Sequence, residues 1–178
     1  MRKIEGLPPS ECHALSEEVA VPDMGDSTRT SEFIGLPLQV ESQDGATADE
    51  VVATGRLTDT RYRVLLSPGF YRGIAAGDEI EYDKISKSAR VVTRGGNIAI
   101  QLFHEGIPGE VINSFKAMSV RIGGRVDGEL DSLVVLTFPA KIGFPAIESL
   151  MATLPERGVE WEYGNVYDQD GEPIGWWE

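Results

Sequence analysis

Cysteine and histidine are scarce in this chain of 178 residues, which has one cysteine, Cys12, and two histidines, His13 and His104. A single cysteine excludes an intrachain disulfide. A zinc site needs three or four Cys, His or carboxylate ligands, and nothing near Cys12 and His13 completes such a set. His104 follows an alternating apolar run, as a partly exposed residue at the end of a strand does. We therefore predict no catalytic residue, no metal site and no cofactor.

Long apolar runs are also missing. No stretch approaches the roughly 20 apolar residues that a membrane-spanning helix needs. The stretch from Met1 to Pro9 has two basic residues, but no apolar segment of the signal-peptide type follows them. These features predict a cytoplasmic protein of bacterial type that does not enter a membrane.

Positive charge is in short supply, with 16 Lys and Arg against 29 Asp and Glu and a net charge of −13. Basic and acidic side chains number 3 and 11 in residues 1–55, 8 and 5 in residues 56–94, and 5 and 13 in residues 95–178. Binding of nucleic-acid phosphates requires a basic face, so a nucleic acid is not an expected partner. The acidity indicates either ordinary solubility or electrostatic steering towards a basic protein partner.

The first half of the chain divides into an arm and a β-rich module. Residues 1–30 combine Pro, Ser, Glu and Asp with few large apolar residues, and this composition predicts a mobile N-terminal arm. Residues 31–95 contain short alternating runs separated by turn residues, which predict a small bent sheet or barrel. Within this module Pro37 restricts the first strand to an edge or a bulge. A polar loop is predicted over residues 42–50, and a hairpin turn over residues 84–88.

Residues 96–167 alternate between strand and helix periods in a regular order. Strands are predicted over residues 97–104, 125–130, 133–138 and 159–163, and helices over residues 111–122 and 146–154. The order strand, helix, strand, strand, helix, strand predicts a ferredoxin-like module with both helices on one face of the sheet. In its core we expect Phe115, Phe138, Leu150 and Trp161. The predicted fold class is therefore α+β, and residues 168–178 are predicted to form a C-terminal tail.

Two stretches carry a resemblance to known proteins. Ser67 to Asp83 contains a Gly-Asp pair before an alternating strand, where Gly77 can take positive φ and Asp78 can bond its own turn. Gly158 to Gly164 reads Gly-Val-Glu-Trp-Glu-Tyr-Gly. With the order of the elements, these stretches make residues 55–165 similar to a family of bacterial proteins known only as a domain of unknown function. The resemblance implies no activity and transfers no site residues.

Arginines of the β-rich module are the first candidate binding residues. Arg61 and Arg63 lie on one face of a predicted strand, and Arg72 follows in the next loop. They either form cross-strand salt bridges with local acids, as Arg90 is expected to do with Glu81, or make an anion-binding patch. Such a patch would bind a phosphorylated ligand or a nucleic-acid strand, although the surrounding acidity works against the nucleic acid.

The C-terminal part of the chain supplies the other candidate binding residues. The adjacent Trp176 and Trp177 bury a large area wherever they dock. They either fold back onto the chain's own sheet or form an exposed aromatic anchor for a partner. Glu160 and Glu162 alternate with aromatic residues in the last predicted strand and offer acidic contacts.

The function that these features predict is an acidic cytoplasmic protein-binding module. An immunity protein that inhibits a basic toxin or nuclease is the most concrete form of this hypothesis. Small size, negative charge and the terminal tryptophans favour it. The alternative is a small-molecule-binding or regulatory domain without catalysis, because ferredoxin-like sheets bind ligands at helix faces and at dimer interfaces. An enzyme is the least favoured of the three classes.

Overall fold

The computed structural model describes residues 33–41, 45–168 and 172–177. The arm predicted over residues 1–30 lies outside the described residues. Within the described ranges the chain forms nine strands in two antiparallel sheets and two α-helices. The α+β prediction is therefore confirmed. Neither helix has the length and apolar character needed to cross a bilayer.

The first sheet is a five-stranded meander, in which each strand pairs with the next one along the chain. Its strands are β1 (Phe33–Glu41), β2 (Thr47–Arg56), β3 (Arg61–Val64), β4 (Glu79–Asp83) and β5 (Ser88–Thr93). Pro37 lies in β1, which is an edge strand as predicted. The Gln39 N–H donates to the carbonyl of Lys87 at 2.8 Å, so the two ends of the meander approach each other at the β4–β5 turn.

Alternation of polar and apolar side chains explains why these segments form strands. Tyr62 and Val64 are buried in β3, whereas Arg61 and Arg63, which alternate with them, are exposed. The rings of Tyr62 and Tyr82 meet edge to face inside the sheet, with centroids 6.2 Å apart. The core of this sheet consists of Leu36, Leu38, Val52, Tyr62, Val64, Ile74, Ile80 and Tyr82. Period-2 alternation thus places one face of the meander on a core and leaves the other in solvent.

The second sheet follows directly and carries both helices. Its elements are β6 (Asn97–His104), α1 (Gly109–Arg121), β7 (Arg125–Leu130), β8 (Leu133–Pro139), α2 (Phe144–Met151) and β9 (Val159–Tyr163). The strand order is β7-β8-β6-β9, and every pairing is antiparallel. Gly123, at φ 98°, ends α1, and the helix α2 begins after Gly143 with a proline in its first turn.

The helices pack against one face of the second sheet. Phe115 of α1, Leu150 of α2 and Phe138 of β8 are buried in one cluster with the even-numbered apolar residues of β6. Trp161 of β9 packs against the same cluster but stays half-buried at its rim. The expected core is therefore confirmed for the three buried residues, with Trp161 at the boundary to solvent.

Candidate functional site

The connection between β3 and β4, residues 65–78, covers the other face of the second sheet, and we call it the bridging loop. The Gly73 N–H donates to the Gly164 carbonyl at 2.7 Å. At Gly69 the backbone runs so close to the sheet that an added Cβ would lie 2.9 Å from the Leu133 side chain. Much of the Ser67–Asp83 stretch that carries the family resemblance is thus buried between the two sheets.

Glu50 holds the first half of the bridging loop. Its carboxylate accepts N–H bonds from Gly69 at 2.6 Å, Phe70 at 3.1 Å and Tyr71 at 2.6 Å. Burial raises the pKa of Glu50, although the three N–H donors oppose that shift. The polar loop predicted over residues 42–50 is therefore wrong for residues 47–50. They belong to β2 and pair with β1, where the N–H groups of the bridging loop satisfy the buried carboxylate of Glu50.

A buried chain of hydrogen bonds fixes the start of the loop to the second sheet. Asp127 Oδ2 accepts the Ser67 N–H and the Thr137 hydroxyl, both at 2.7 Å. The Ser67 and Thr137 hydroxyl oxygens lie 2.5 Å apart, and the Ala76 N–H donates to Ser67 Oγ at 3.0 Å. Since the Thr137 proton is used by Asp127, Ser67 donates to Thr137. Arg125 closes the network with a 2.5 Å ion pair to Asp127.

Asp78 holds the end of the same loop. It accepts the Ala75 N–H at 3.0 Å, as the Gly-Asp motif predicted, and also the Gly95 N–H at 2.7 Å. Arg94 Nη1 lies 3.0 Å from Asp78 Oδ2. Burial raises the pKa of Asp78, and the two backbone N–H groups and Arg94 counteract it. This carboxylate therefore joins the loop to the segment that leads into β6.

The arginines predicted as a binding patch are spread over two places. Arg63 pairs with Glu79 at 2.8 Å on the exposed face of the first sheet, where Arg61 lies opposite Glu81 in register. Arg90 also pairs with Glu81, as expected. The side chain of Arg72 instead extends from the bridging loop to β9, where it binds both oxygens of Glu162 at 2.5 and 2.7 Å. The structure thus brings Arg61 and Arg63 together with acids and separates them from Arg72.

Both terminal tryptophans lie against the second sheet. Trp176 Nε1 donates to the Asn165 carbonyl at 2.8 Å, and the Arg94 guanidinium stands 5.4 Å from the centre of its ring. Trp177 meets Phe144 edge to face at 5.2 Å, and Phe144 in turn meets Tyr163 at 5.4 Å. Both indoles are half-buried, so each retains an edge in solvent.

Glu160 and Glu162 lie on the face of β9 that points away from the helices. Glu160 is exposed and Glu162 is half-buried beside Arg72. Burial raises the pKa of Glu162, and Arg72 opposes the shift. On the opposite face, burial, with the nearby Glu148 carboxylate, raises the pKa of the Tyr163 hydroxyl strongly. Of the two predicted acidic contacts, only Glu160 stands free in solvent.

A surface groove of about 590 Å³ lies at the end of the second sheet where β6, α1 and the β7–β8 turn meet. Its lining consists of His104, Ile107, Gly109, Ile112, Asn113, Glu129, Leu130 and Asp131. Lys116 bonds both oxygens of Glu129 at 2.7 Å. Burial lowers the pKa of His104; Glu129 acts in the opposite direction and Lys116 in the same one. The groove thus offers polar groups above an apolar floor of Ile107, Ile112 and Leu130.

Sequence reasoning missed the groove and the buried carboxylates for different reasons. His104 was correctly placed at a strand end, but Asn113 and Glu129 are distant in sequence and meet it only in the fold. The Gly-Asp motif predicts that Asp78 bonds its own turn, whereas no local sequence pattern indicates that Glu50 and Asp127 are buried. Among the residues that the structure describes, no set of three His, Cys, Asp or Glu residues is arranged to hold a metal ion.

Comparison with other proteins agrees with this fold and adds no activity. A structure described as "Novel crystal structure of a hypothetical protein from Neisseria gonorrhoeae" superposes with a TM-score of 0.59 at 13% identity. The match covers 76% of this chain and 96% of that one, and at such identity it shows a shared fold alone. No curated protein matches the chain. The family model described as "Domain of unknown function (DUF4265)" matches residues 49–163. The chain therefore belongs to the DUF4265 family, as its resemblance implied.

Proposed function

We propose that this protein is an acidic cytoplasmic binding module that covers a basic surface of another protein, as an immunity protein covers a toxin or nuclease. The observation that carries the proposal is the clustering of carboxylates at the end of the second sheet that contains His104, which we call the acidic end. Its carboxylates are Glu105, Glu110, Glu129, Asp131, Glu156 and Glu160. The nearby cations are Lys116 and Arg157, and Lys116 is bound to Glu129.

The acidic end suits a basic partner for electrostatic reasons. Glu110, Asp131 and Glu160 are exposed, and each lies in a different segment, namely α1, the β7–β8 turn and β9. Carboxylates gathered at one end of a molecule with a net charge of −13 attract a positive surface before contact. The proposal therefore gives Glu160 a role in association, while Arg72 already engages Glu162.

The remaining predicted residues have secondary roles in this proposal. Trp176 and Trp177 keep exposed edges beside β9, where they can contact a partner after encounter. Arg63 pairs with Glu79, and Arg61 lies opposite Glu81 in register, so an anion-binding patch at these arginines is not part of the proposal. The absence of any disulfide-forming pair is consistent with a cytoplasmic location.

We further propose a ferredoxin-like class for the second module. The element order β6-α1-β7-β8-α2-β9 and the strand order β7-β8-β6-β9 support it, and so does the packing of both helices on one face. For the first module, the bond between Gln39 and Lys87 across the ends of the meander supports a small bent sheet close to a barrel.

The test is to capture partners of the full chain from its native cytoplasm and measure binding of each by surface plasmon resonance. We expect a basic protein whose association slows as ionic strength rises, because exposed charges are screened over about 8 Å at physiological salt. Asp131→Lys with Glu160→Lys should slow association more than it speeds dissociation. Asp59→Lys with Glu41→Lys, on the first sheet, is the matched control. The proposal is refuted if the rate constants change neither with salt concentration nor on the double substitution Asp131→Lys with Glu160→Lys.

A small-molecule-binding role is the second candidate, and the groove beside His104 is the observation that favours it. A cleft of about 590 Å³ with an apolar floor and convergent polar groups is of ligand size. Screening of small molecules by chemical-shift changes at His104 and Asn113 tests this role. Shifts confined to that groove that saturate at micromolar ligand, without any protein partner, would favour it over the protein-binding role.

A further inference from the structure

The strand β9 is an edge strand with a defined inner side. Within the described ranges it pairs with β6 alone and forms the last strand of the second sheet. The Glu105 N–H donates to the Gly158 carbonyl at 2.9 Å, and the Gly164 N–H donates to the Ala99 carbonyl at 2.8 Å. In an antiparallel pair, alternate residues exchange bonds with the neighbouring strand. Residues 160 and 162 therefore also bond towards β6.

Among the residues that the structure describes, no other strand pairs with the outer side of β9. By the same alternation, Val159, Trp161 and Tyr163 direct their N–H and C=O groups away from the sheet. In the described part of the chain none of these three residues has a backbone hydrogen bond on that side. Three donors and three acceptors are thus available at the spacing that another strand requires.

The other sheet edges of the described chain carry features that hinder strand pairing. The strand β1 contains Pro37, which lacks an N–H. The pairing of β5 with β4 shifts register next to Glu79, and that of β7 with β8 shifts between Val126 and Gly128. Such bulges twist an edge away from further pairing. The strand β9 has neither device, since its five residue pairs with β6 are in continuous register.

We propose that β9 accepts an extended segment of a basic protein partner as an additional strand of the second sheet. This inference rests on the proposed binding function and names the place where the partner docks. Backbone hydrogen bonds to Val159, Trp161 and Tyr163 supply affinity for any extended segment, and side chains on the two faces select the sequence.

The two faces of β9 differ in chemistry, and this difference specifies the segment. One face presents Glu160, which is exposed, and Glu162, which Arg72 binds. The other presents Trp161 and Tyr163, whose rings meet edge to face at 5.3 Å. A strand laid beside β9 places alternate side chains next to carboxylates and next to rings. The fitting segment therefore alternates Lys or Arg with apolar residues.

Charge disfavours a second copy of this chain as the occupant. A symmetric antiparallel pairing centred on Trp161 would set Glu160 of each chain opposite Glu162 of the other. It would also bring together two molecules that each carry a net charge of −13. A basic segment meets neither penalty.

The test uses a synthetic peptide of alternating lysine and valine with blocked ends, added to the full chain and followed by residue-resolved amide hydrogen exchange. Exchange at Val159, Trp161 and Tyr163 is expected to slow by about ten-fold or more on binding. The amides of Glu160 and Glu162 are already bonded to β6 and serve as internal references that should not change. The same peptide with alternate amides N-methylated should not slow exchange at β9.

Two charge variants separate strand addition from general attraction. Glu160→Lys is expected to weaken peptide binding at least about five-fold, because it places a cation beside the lysines of the added strand. Asp59→Lys, in the exposed β2–β3 turn, makes the same charge change far from β9 and should weaken binding less than two-fold. Unchanged exchange in β6 of the Glu160→Lys variant verifies that the sheet is intact.

Each outcome decides the inference. Alternate protection of residues 159, 161 and 163 together with a selective Glu160→Lys effect supports it. Binding of a basic protein that is salt-dependent but protects other segments overturns the β9 inference and leaves the proposed function standing. Lack of any exchange change at β9 with millimolar peptide overturns the inference as well. The proposed function fails separately, when a captured partner shows neither salt dependence nor sensitivity to the acidic end.

Discussion

Glu50, Asp78 and Asp127 each accept backbone N–H bonds from the bridging loop, so three single side chains decide the path of that loop. A buried carboxylate costs free energy unless several donors satisfy it. The loop supplies them: three to Glu50, one to Asp78 and one to Asp127, with Gly95 adding a further N–H to Asp78. At this scale, buried polar side chains hold the backbone of the loop in place.

Glu50→Gln tests the role of the carboxylate that accepts three N–H bonds from the loop. We expect a loss of about 1–3 kcal/mol in the free energy of unfolding, since the amide NH₂ faces N–H donors and leaves at least one unsatisfied. Urea denaturation measures it. Glu41→Gln, on the exposed end of β1, is the control and should change stability by less than about 0.5 kcal/mol. Equal effects of the two substitutions would show that Glu50 does not hold the loop.

His104 provides a pH-dependent prediction at the same scale. Burial lowers its pKa in the folded state, so protonation favours unfolding. Above the pKa of about 6.5 in the unfolded state, His104 is neutral in both states and does not affect the free energy of unfolding. Below that pH the free energy of unfolding decreases, until the pH has fallen past the lower pKa of the folded state. NMR titration of the ring should therefore give a midpoint below that of the urea-unfolded chain. Lys116→Gln should raise the pKa of His104 in the folded protein, because it removes a nearby cation.

At the scale of elements, turns between strands depend on backbone conformations and close backbone contacts, and sequence patterns predict only some of them. Gly77 has φ 90° in the Gly-Asp turn, as its motif predicted. Gly95 has ordinary φ, yet an added Cβ would lie 2.6 Å from the Cα of Gly77. The positive φ of Gly77 follows from local conformation. The close approach of Gly95 to Gly77 arises instead from two segments that the fold brings together.

Gly95→Ala should destabilise the protein by about 1–3 kcal/mol through overpacking of backbone against backbone. Gly109→Ala, at the start of α1 with nothing within 4 Å of the added Cβ, is the matched control. It should be neutral or stabilising by up to about 1 kcal/mol. Thermal unfolding of both variants provides the measurement. A neutral Gly95→Ala would mean that the turn at Gly77 relaxes freely.

At the scale of the whole molecule, the bridging loop couples the two sheets. It starts and ends in the first sheet, covers a face of the second, and is anchored by Glu50 from one side and Asp127 from the other. Arg94 extends the coupling to the C-terminal tail through Trp176. An arrangement of this kind favours one cooperative unfolding transition rather than two.

Asp127→Asn should weaken both sheets together, by about 1–3 kcal/mol, because the Ser67 and Thr137 bonds and the Arg125 ion pair are all disturbed. Hydrogen exchange in β3 and in β8 should accelerate by the same factor. The exposed Asp131→Asn serves as control and should leave both rates unchanged. Acceleration confined to β8 would show that the sheets unfold independently.

The sequence alone determined most of the elements, because strand and helix periods are local properties. Strand and helix periods located the meander strands and the order of the later elements, and the composition set the negative charge. The hairpin turn predicted over residues 84–88 is one residue too long, because Ser88 belongs to β5. The same patterns placed Phe115, Phe138 and Leu150 in a common core. Each of these inferences depends on neighbours along the chain, where hydrophobic periodicity is read directly.

The tertiary structure alone decided which polar residues are buried and which edge is open. The sequence predicts a polar loop at Glu50, but N–H groups some 20 residues away in sequence hold its carboxylate inside the protein. The groove at His104 and the open side of β9 likewise exist only through strand order and packing. Burial and edge position depend on contacts between distant segments, and a single sequence carries no local signal for such contacts.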